Sequence, residues 1–287
     1  MIPASVESFI LHLTAMFTGG FLFNPSLALP FGAGGVAVLA GFIFCLGACL
    51  GSFANACAMR LVRDEDFVFA TSRCRGCDKS LGWRENLPIL GFTLQRGRCA
   101  CGDMRLPSRY VTVELVGGCL LLSYAATLPL PLAVGFGVAM VFVAIACLTD
   151  LEALTLHPLL LTIFGMIGLG LAIAADFRLL LWHIGSAQAL AGMITSAGLP
   201  FLVNAVYRWI RGRNGFGEGD FWLLAAIGAW LGPVMGPVAF LAACWLGAAV
   251  GIVMMMTGRG SIMTKLPFGL FAGLVFILWP NFLTRVF

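Results

Sequence analysis

Apolar residues run along this chain in blocks of about twenty, separated by short polar or proline-containing joints, and an α-helix of that length crosses the ~30 Å hydrocarbon core of a bilayer. The first block, residues 8–29, is interrupted by His12, Gly19, Gly20, Asn24 and Pro25. It is either an interfacial segment or a broken span. Residues 34–61 read as a clear transmembrane helix whose last turns, Gly51-Ser52-Phe53-Ala54-Asn55, carry small residues that allow close helix packing. His12 and Asn55 read as structural polar groups rather than ligands. Beyond a polar stretch, spans are predicted at 110–127, 131–149, 158–175, 179–207, 221–231, 237–257 and 267–280. The pattern predicts an all-α polytopic membrane protein of about eight transmembrane helices. Its organisation is an amino-terminal apolar segment at 1–33, a first clear span at 34–61, a small polar domain at 62–109 and a multi-helix membrane domain at 110–287.

Composition agrees with the pattern. Of 287 residues, 60% are hydrophobic and only 10% charged, whereas about a quarter are charged in an ordinary soluble protein. Mean hydropathy is +0.99. The net charge of +4 does not argue for nucleic acid, because ten of the 17 Lys and Arg fall between Arg60 and Arg109. Basic residues gathered in one loop are a topology signal, and they place that loop in the cytoplasm. Counting spans from there puts the ends near Asp150, Arg208 to Asp220, and Arg259 to Lys265 on the same, cytoplasmic side. The first residues lack a basic n-region and carry Glu7, so no cleavable signal peptide is expected.

Two acids then stand out. Gly215-Phe216-Gly217-Glu218-Gly219-Asp220 lies between apolar runs, and its alternate glycines leave the backbone free for positive φ and for close approach of another chain. Asp220 opens the next apolar segment, where it either caps the helix or serves a site. Asp150 closes an earlier span on the same face. Two neighbouring carboxylates do not both ionise easily, so one holds a proton while the other polarises water, which is the chemistry of aspartic proteases. Glu152 and Glu218 are rivals for these roles. The aspartates are preferred because Asp220 ends the glycine run and Asp150 ends an apolar span.

The polar domain contributes Cys74-Arg75-Gly76-Cys77 and Cys99-Ala100-Cys101. Cytosolic thiols stay reduced, and two thiolate pairs at this separation suit a tetrahedral structural zinc site, which would fold a piece too small for its own core. The second pair has one intervening residue where two or more are usual. Free thiols or a stress disulfide are the bland alternative. The other cysteines, Cys45, Cys49, Cys57, Cys119, Cys147 and Cys244, lie in apolar runs and read as packing residues. Trp83 and Tyr110 suit the membrane interface. Glu114 falls inside the span that begins near Tyr110, so it is expected to face the bundle and to meet a substrate or Arg109.

In order, these stretches are Gly51-Ser52-Phe53 with Asn55 and Arg60-Leu61, the cysteine pairs flanking Trp83-Arg84-Glu85-Asn86-Leu87-Pro88, then Pro107 with Arg109-Tyr110 and Glu114. Asp150, the run Gly215 to Asp220, and Leu266-Pro267-Phe268-Gly269 complete the set. Together they resemble the type IV prepilin peptidases, bifunctional leader peptidases and N-methyltransferases of type IV pilus and type II secretion systems. The resemblance covers about residues 47–269. It implies a bacterial inner-membrane enzyme with catalytic Asp150 and Asp220 at the cytoplasmic face. The substrate would be a prepilin or pseudopilin with a basic leader and a hydrophobic helix, cut after a glycine and then methylated on its new amino terminus from S-adenosylmethionine. Gly215, Gly217, Gly219 and Glu114 would bind substrate. The methyltransferase half rests on the resemblance alone, since no glycine fingerprint marks a cofactor site. The chain departs from the family at His157-Pro158, where a Pro-Asp pair is usual, at Glu152, which stands for the neighbouring acid, and in the shortened second cysteine pair.

Two other classes compete. A proton- or cation-coupled transporter would use Asp150 and Asp220 as an ion site with the cysteine segment as a metal knuckle, and would show inverted repeats; none is evident. A membrane thiol oxidoreductase would want low-pKa thiolates and usually an oxidising compartment, which a cytoplasmic quartet does not provide.

Overall fold

The structure is a computed structural model that describes residues 32–65, 80–82, 84–99, 105–180, 182–259 and 264–281. These residues are mainly helical, joined by turns and short irregular segments, with an isolated antiparallel bridge between Arg98 and Arg105. The helices are α1 (Gly32–Leu61), α2 (Leu90–Leu94), α3 (Arg109–Thr127), α4 (Leu130–Ala153), α5 (Pro158–Asp176), α6 (Ser186–Arg211), α7 (Glu218–Met256) and α8 (Phe268–Leu278). Six of them, α1 and α3 to α7, are long and apolar enough to cross a membrane, and α8 is a shorter apolar helix. The chain is a multi-pass membrane protein. Many of its largest apolar side chains lie on the outside, including Trp245, Leu159 and Ile194, as expected where lipid replaces water around the helices.

Several boundaries move from the sequence expectation. The 221–231 and 237–257 segments run together as α7, which has its break at Gly232 (φ 80°, ψ −177°). Pro233 follows directly, and proline disfavours helical backbone in the residue before it, so a glycine that takes positive φ absorbs the turn. The 179–207 span begins only at Ser186. There Asp176 Oδ2 accepts the Ser186 N–H at 2.9 Å, satisfying one of the donors that a helix start leaves free. The 131–149 span extends to Ala153, so Asp150 lies inside the last turns of α4 rather than after them. The 8–29 segment, with His12, lies outside the described residues.

The chain divides into two compact units, Met1–Val141 with Trp279–Phe287, and Phe142–Leu278. In the first, α1 packs on α3 through glycines. A Cβ on Gly47 would lie 2.5 Å from Gly117 O, and one on Gly51 would lie 2.7 Å from Val113 O. Close approach of this kind replaces the missing hydrophobic driving force between helices in lipid. Asn55, one turn beyond Gly51, is 1% exposed.

The second unit is built around Trp230. Its ring stacks on Phe164 with centroids 5.2 Å apart, its Nε1 donates to Phe164 O at 2.9 Å, and Phe276 meets Phe164 edge-on at 5.4 Å. Helices α6 and α7 approach through Gly192, Gly228 and Gly236, leaving no room for a Cβ between Gly192 and Gly228 or between Gly236 and Ser196. At the α7 kink, His183 Nε2 lies 2.7 Å from Trp230 O. A carbonyl can only accept, so this nitrogen carries the proton. Burial pushes the His183 imidazole below its usual 6.5, partly opposed by that hydrogen bond.

Candidate active site

Asp150 and Asp220 both belong to the second unit. Asp220 lies in the first turn of α7, and its Oδ2 accepts the N–H of the N-cap residue Gly217 at 2.9 Å. It is thus the returning half of a capping box, with glycine supplying no side chain for the other half. Asp150, 5% exposed, turns its Oδ2 to the N–H of Leu270 at 3.2 Å. Each carboxylate is therefore docked on a helix amino end, Asp220 on its own helix and Asp150 on α8. Amino ends of helices present unpaired N–H groups and favour negative charge. The charge of Asp150 bears on Asp220. Backbone donors therefore orient both carboxylates, Gly217 at Asp220 and Leu270 with Gly269 at Asp150.

Leu156, in the joint between α4 and α5, ties these parts together. A Cβ on Gly219 would stand 2.6 Å from Leu156 Cβ. A Cβ on Gly269 would stand 3.0 Å from Asp150 Oδ2 and 3.1 Å from a Leu156 methyl. The α7 start, the Leu156 joint and the α8 start thus meet with no spare room. Phe216 seals the neighbouring side, its ring 5.3 Å from that of Phe268 and 5.8 Å from that of Phe240.

The glycine run behaves differently from the sequence expectation. Among the described residues, positive φ at glycine occurs at Gly97, Gly212, Gly232 and Gly258, and at none of Gly215, Gly217 or Gly219. The left-handed residue is Gly212, which ends α6. What the run does is fit close contacts: Gly219 against Leu156, and Gly215 against the Tyr207 ring at 3.2 Å from its absent Cβ. Its shape is held by Asn204, whose Oδ1 accepts the N–H groups of Gly215 at 2.7 Å and Phe216 at 3.2 Å. Asn204 was legible as a lone amide in an otherwise apolar stretch, a residue type that earns scrutiny in a membrane helix. Leu156 carries no such signal.

The rivals Glu152 and Glu218 are both exposed. Glu114 belongs to the first unit. It is 6% exposed, and its Oε2 accepts the Ile89 N–H at 2.7 Å. Ile89 has φ 63°, a strained region for a β-branched residue, so Glu114 holds a strained loop in place. Arg109 Nη2 donates to Met59 Sδ at 2.7 Å. Of the four cysteines expected to hold zinc, Cys99 is buried; Cys74, Cys77 and Cys101, like Trp83, lie outside the described residues. Among the described residues no three His, Cys, Asp or Glu side chains gather as a metal site.

Two families of known sequence match this chain. Residues 45–128 match the bacterial peptidase A24 N-terminal domain, and residues 137–252 match the type IV leader peptidase family. A protein of Myxococcus xanthus is 32% identical over 234 residues, which cover 79% of this chain and 67% of the relative. A Pseudomonas putida protein is 31% identical over 224 residues, covering 75% of this chain and 74% of the relative. A Klebsiella pneumoniae protein is 32% identical over 204 residues, covering 67% and 84%. All three are named prepilin leader peptidase/N-methyltransferase. This chain belongs to the type IV leader peptidase family. Within the family match lie Asp150 and the whole run from Gly215 to Asp220. No solved structure matches significantly.

Proposed function

We propose that this protein is an aspartyl prepilin leader peptidase of the bacterial inner membrane, with Asp150 and Asp220 as its catalytic pair. The observation that carries the reading is the paired docking of the two acids, each with one oxygen on a backbone N–H and both within electrostatic reach of each other. One carboxylate, ionised, takes a proton from a water held between them as the other, protonated, donates to the scissile carbonyl; when the C–N bond breaks, the first gives that proton to the leaving amine and the second takes one back from the gem-diol hydroxyl. The pair titrates as a unit, so the two roles belong to the dyad.

The substrate is a prepilin or pseudopilin. Its hydrophobic helix lies among the apolar helices and its basic leader reaches the cytoplasmic face, where the cut falls after a glycine. The run Gly215, Gly217 and Gly219 lines the path of the extended segment near the cut. Topology follows the basic 60–109 stretch, with eight crossings once α7 is counted as two segments and α8 is included.

The relatives' printed name includes N-methyltransferase, and in this reading the new amino terminus is then methylated. S-adenosylmethionine would supply the methyl group, and Glu114, by fixing Ile89, holds the shape of a loop of the first unit that would bind substrate. Zinc on Cys74, Cys77, Cys99 and Cys101 would fold the 62–109 segment, and the burial of Cys99 suits a structural thiolate. The transporter reading gives way, since family membership and the backbone-docked acids are both accounted for by hydrolysis.

The test is to incubate the detergent-solubilised protein with a purified prepilin, with and without S-adenosylmethionine, and to weigh the products. A product shortened by its leader supports the peptidase, and one 14 Da heavier (roughly one CH₂, the group of a single added methyl) supports methylation. No shortening of several cognate candidates would overturn the reading.

A further inference from the structure

The α8 start is tied to the site more tightly than its place late in the chain suggests. Asp150 Oδ2 accepts the Leu270 N–H at 3.2 Å, and the adjoining Gly269 backbone also acts on this carboxylate. These are first-turn donors, which have no partner inside their own helix. Gly269 and Gly273 are four residues apart on α8, so they share a face. They face Val143, Cys147 and Asp150, which form one stripe of α4. A Cβ on Gly273 would overlap Cys147 Sγ and stand 2.8 Å from Val143 Cγ1, while Cys147 Sγ lies 3.7 Å from Gly269 O and 3.8 Å from Leu270 O. The same glycine stripe that lets α8 lie against α4 therefore sets the height at which Leu270 N–H meets the acid.

We propose that α8 is a positioning element of the candidate active site, with Gly273 seated on Cys147 and Leu270 N–H fixing one oxygen of Asp150 so that the other faces the water. This rests on the reading of Asp150 and Asp220 as a catalytic pair. Leu270, Gly273 and Cys147 act through Asp150 and touch no substrate.

Three variants test it in the full-length, detergent-solubilised protein with a purified prepilin. Leu270→Pro removes the N–H at a first-turn position where proline breaks no bond of the helix ladder, and it also strains Gly269 before it, the other backbone donor to Asp150. Gly273→Ala drives a methyl group into Cys147 Sγ and displaces α8. Cys147→Ala in the Gly273→Ala background removes the sulfur and with it the closer of the two overlaps, leaving that with Val143 Cγ1. The expected result is a fall in kcat of about ten- to a hundredfold for the first two, the scale of an ångström-size misplacement, with KM within about twofold because ground-state binding is untouched. The acid limb of the pH–rate profile moves in both, and the double variant regains at least about tenfold in kcat, each figure being the same misplacement scale read in part. A purely structural role would instead lower the melting temperature and the active fraction while leaving the pH profile and KM of the surviving enzyme unchanged, and that outcome overturns the inference. Wild-type kcat and pH profile in both Leu270→Pro and Gly273→Ala overturn it too, while leaving the dyad standing. If Leu270→Pro does not fold, the Gly273→Ala pair decides alone. Wild type that cuts nothing removes the reading of the dyad, and this inference with it.

Discussion

Gly219→Ala is the substitution for which the site geometry speaks most sharply. The added Cβ would stand 2.6 Å from Leu156 Cβ and 3.4 Å from both Leu156 Cδ1 and Leu156 O. Two carbons pack best at about 3.5–4.0 Å, so the pair must separate by roughly 1 Å. The obstacle is a Cβ fixed to its backbone, and no rotamer of Leu156 moves it. Either the first turn of α7 or the Leu156 joint gives way, and Asp220 rides on that turn. A misplacement of this size costs about a hundredfold in rate, which is ~2.7 kcal/mol of transition-state stabilisation, and overpacking costs about 1–3 kcal/mol of stability. Initial rates of prepilin cleavage and the melting temperature read both. The rescue is specific: Leu156→Gly removes the obstructing Cβ and recovers much of the rate in the Gly219→Ala background, whereas Leu156→Ala keeps it and does not. Gly217→Ala is the contrast, since its Cβ would meet Asp220 Oδ2 at an ordinary 3.5 Å. It leaves the melting temperature unchanged, and any loss falls on KM, the mark of a substrate backbone passing close. Cleavage by Gly219→Ala within about threefold of wild type, well under the ~100-fold scale, or equal rescue by Leu156→Ala, would refute the reasoning.

Three further outcomes follow from named contacts. Asn204→Ala leaves the Gly215 and Phe216 N–H groups without their acceptor and lowers kcat/KM about tenfold, as expected for ~1–1.5 kcal/mol of lost ordering, while Asn204→Asp keeps an acceptor and most of the activity; equal kinetics for the two would contradict this. Glu114→Ala strands the Ile89 N–H and costs about 1–3 kcal/mol, seen as a lower melting temperature that Glu114→Gln largely avoids; identical melting of the two variants would count against it. His183 has its folded value pushed below 6.5 by burial, so the stability that comes from keeping it neutral is complete above 6.5 and is lost as pH falls through 6.5 toward the folded value. Melting temperatures between about pH 7.5 and pH 5.5, a window bracketing the usual histidine value, drop further for wild type than for His183→Gln, which still donates to Trp230 O; parallel curves would sink that assignment.

How legible the molecule was depended on the kind of signal. The apolar blocks marked α1 and α3 to α5 to within a few residues because length and hydropathy are properties of one segment, whereas α6 starts at Ser186, well after its block begins. The break at Gly232 falls in the gap between the 221–231 and 237–257 segments, but the sequence shows neither its positive φ nor that the two halves run on as one kinked helix. Asp150 and Asp220 could be chosen because an acid in an apolar run has a cost that sequence displays. Their supports could not be. Leu156, Cys147 and Leu270 are ordinary apolar residues whose contribution is where they sit, and Leu270 acts through a backbone N–H that every residue but proline possesses. The glycine run shows the limit from the other side: its conformational freedom was read as positive φ, whereas Gly215 and Gly219 are needed for close contacts. Glu114 is expected from sequence to face a substrate or Arg109, and its visible partner is the Ile89 N–H, a contact that only the fold around Ile89 creates.

The central claim is that Asp150 and Asp220 act as one hydrolytic pair. The direct measurement is prepilin cleavage by wild type, Asp150→Asn and Asp220→Asn, each purified in detergent and shown to melt as wild type does. The account predicts leader removal by wild type alone, with either amide abolishing turnover and the double variant no worse than the singles. Unchanged cutting by either variant would contradict it and would turn attention to Glu152 and Glu218.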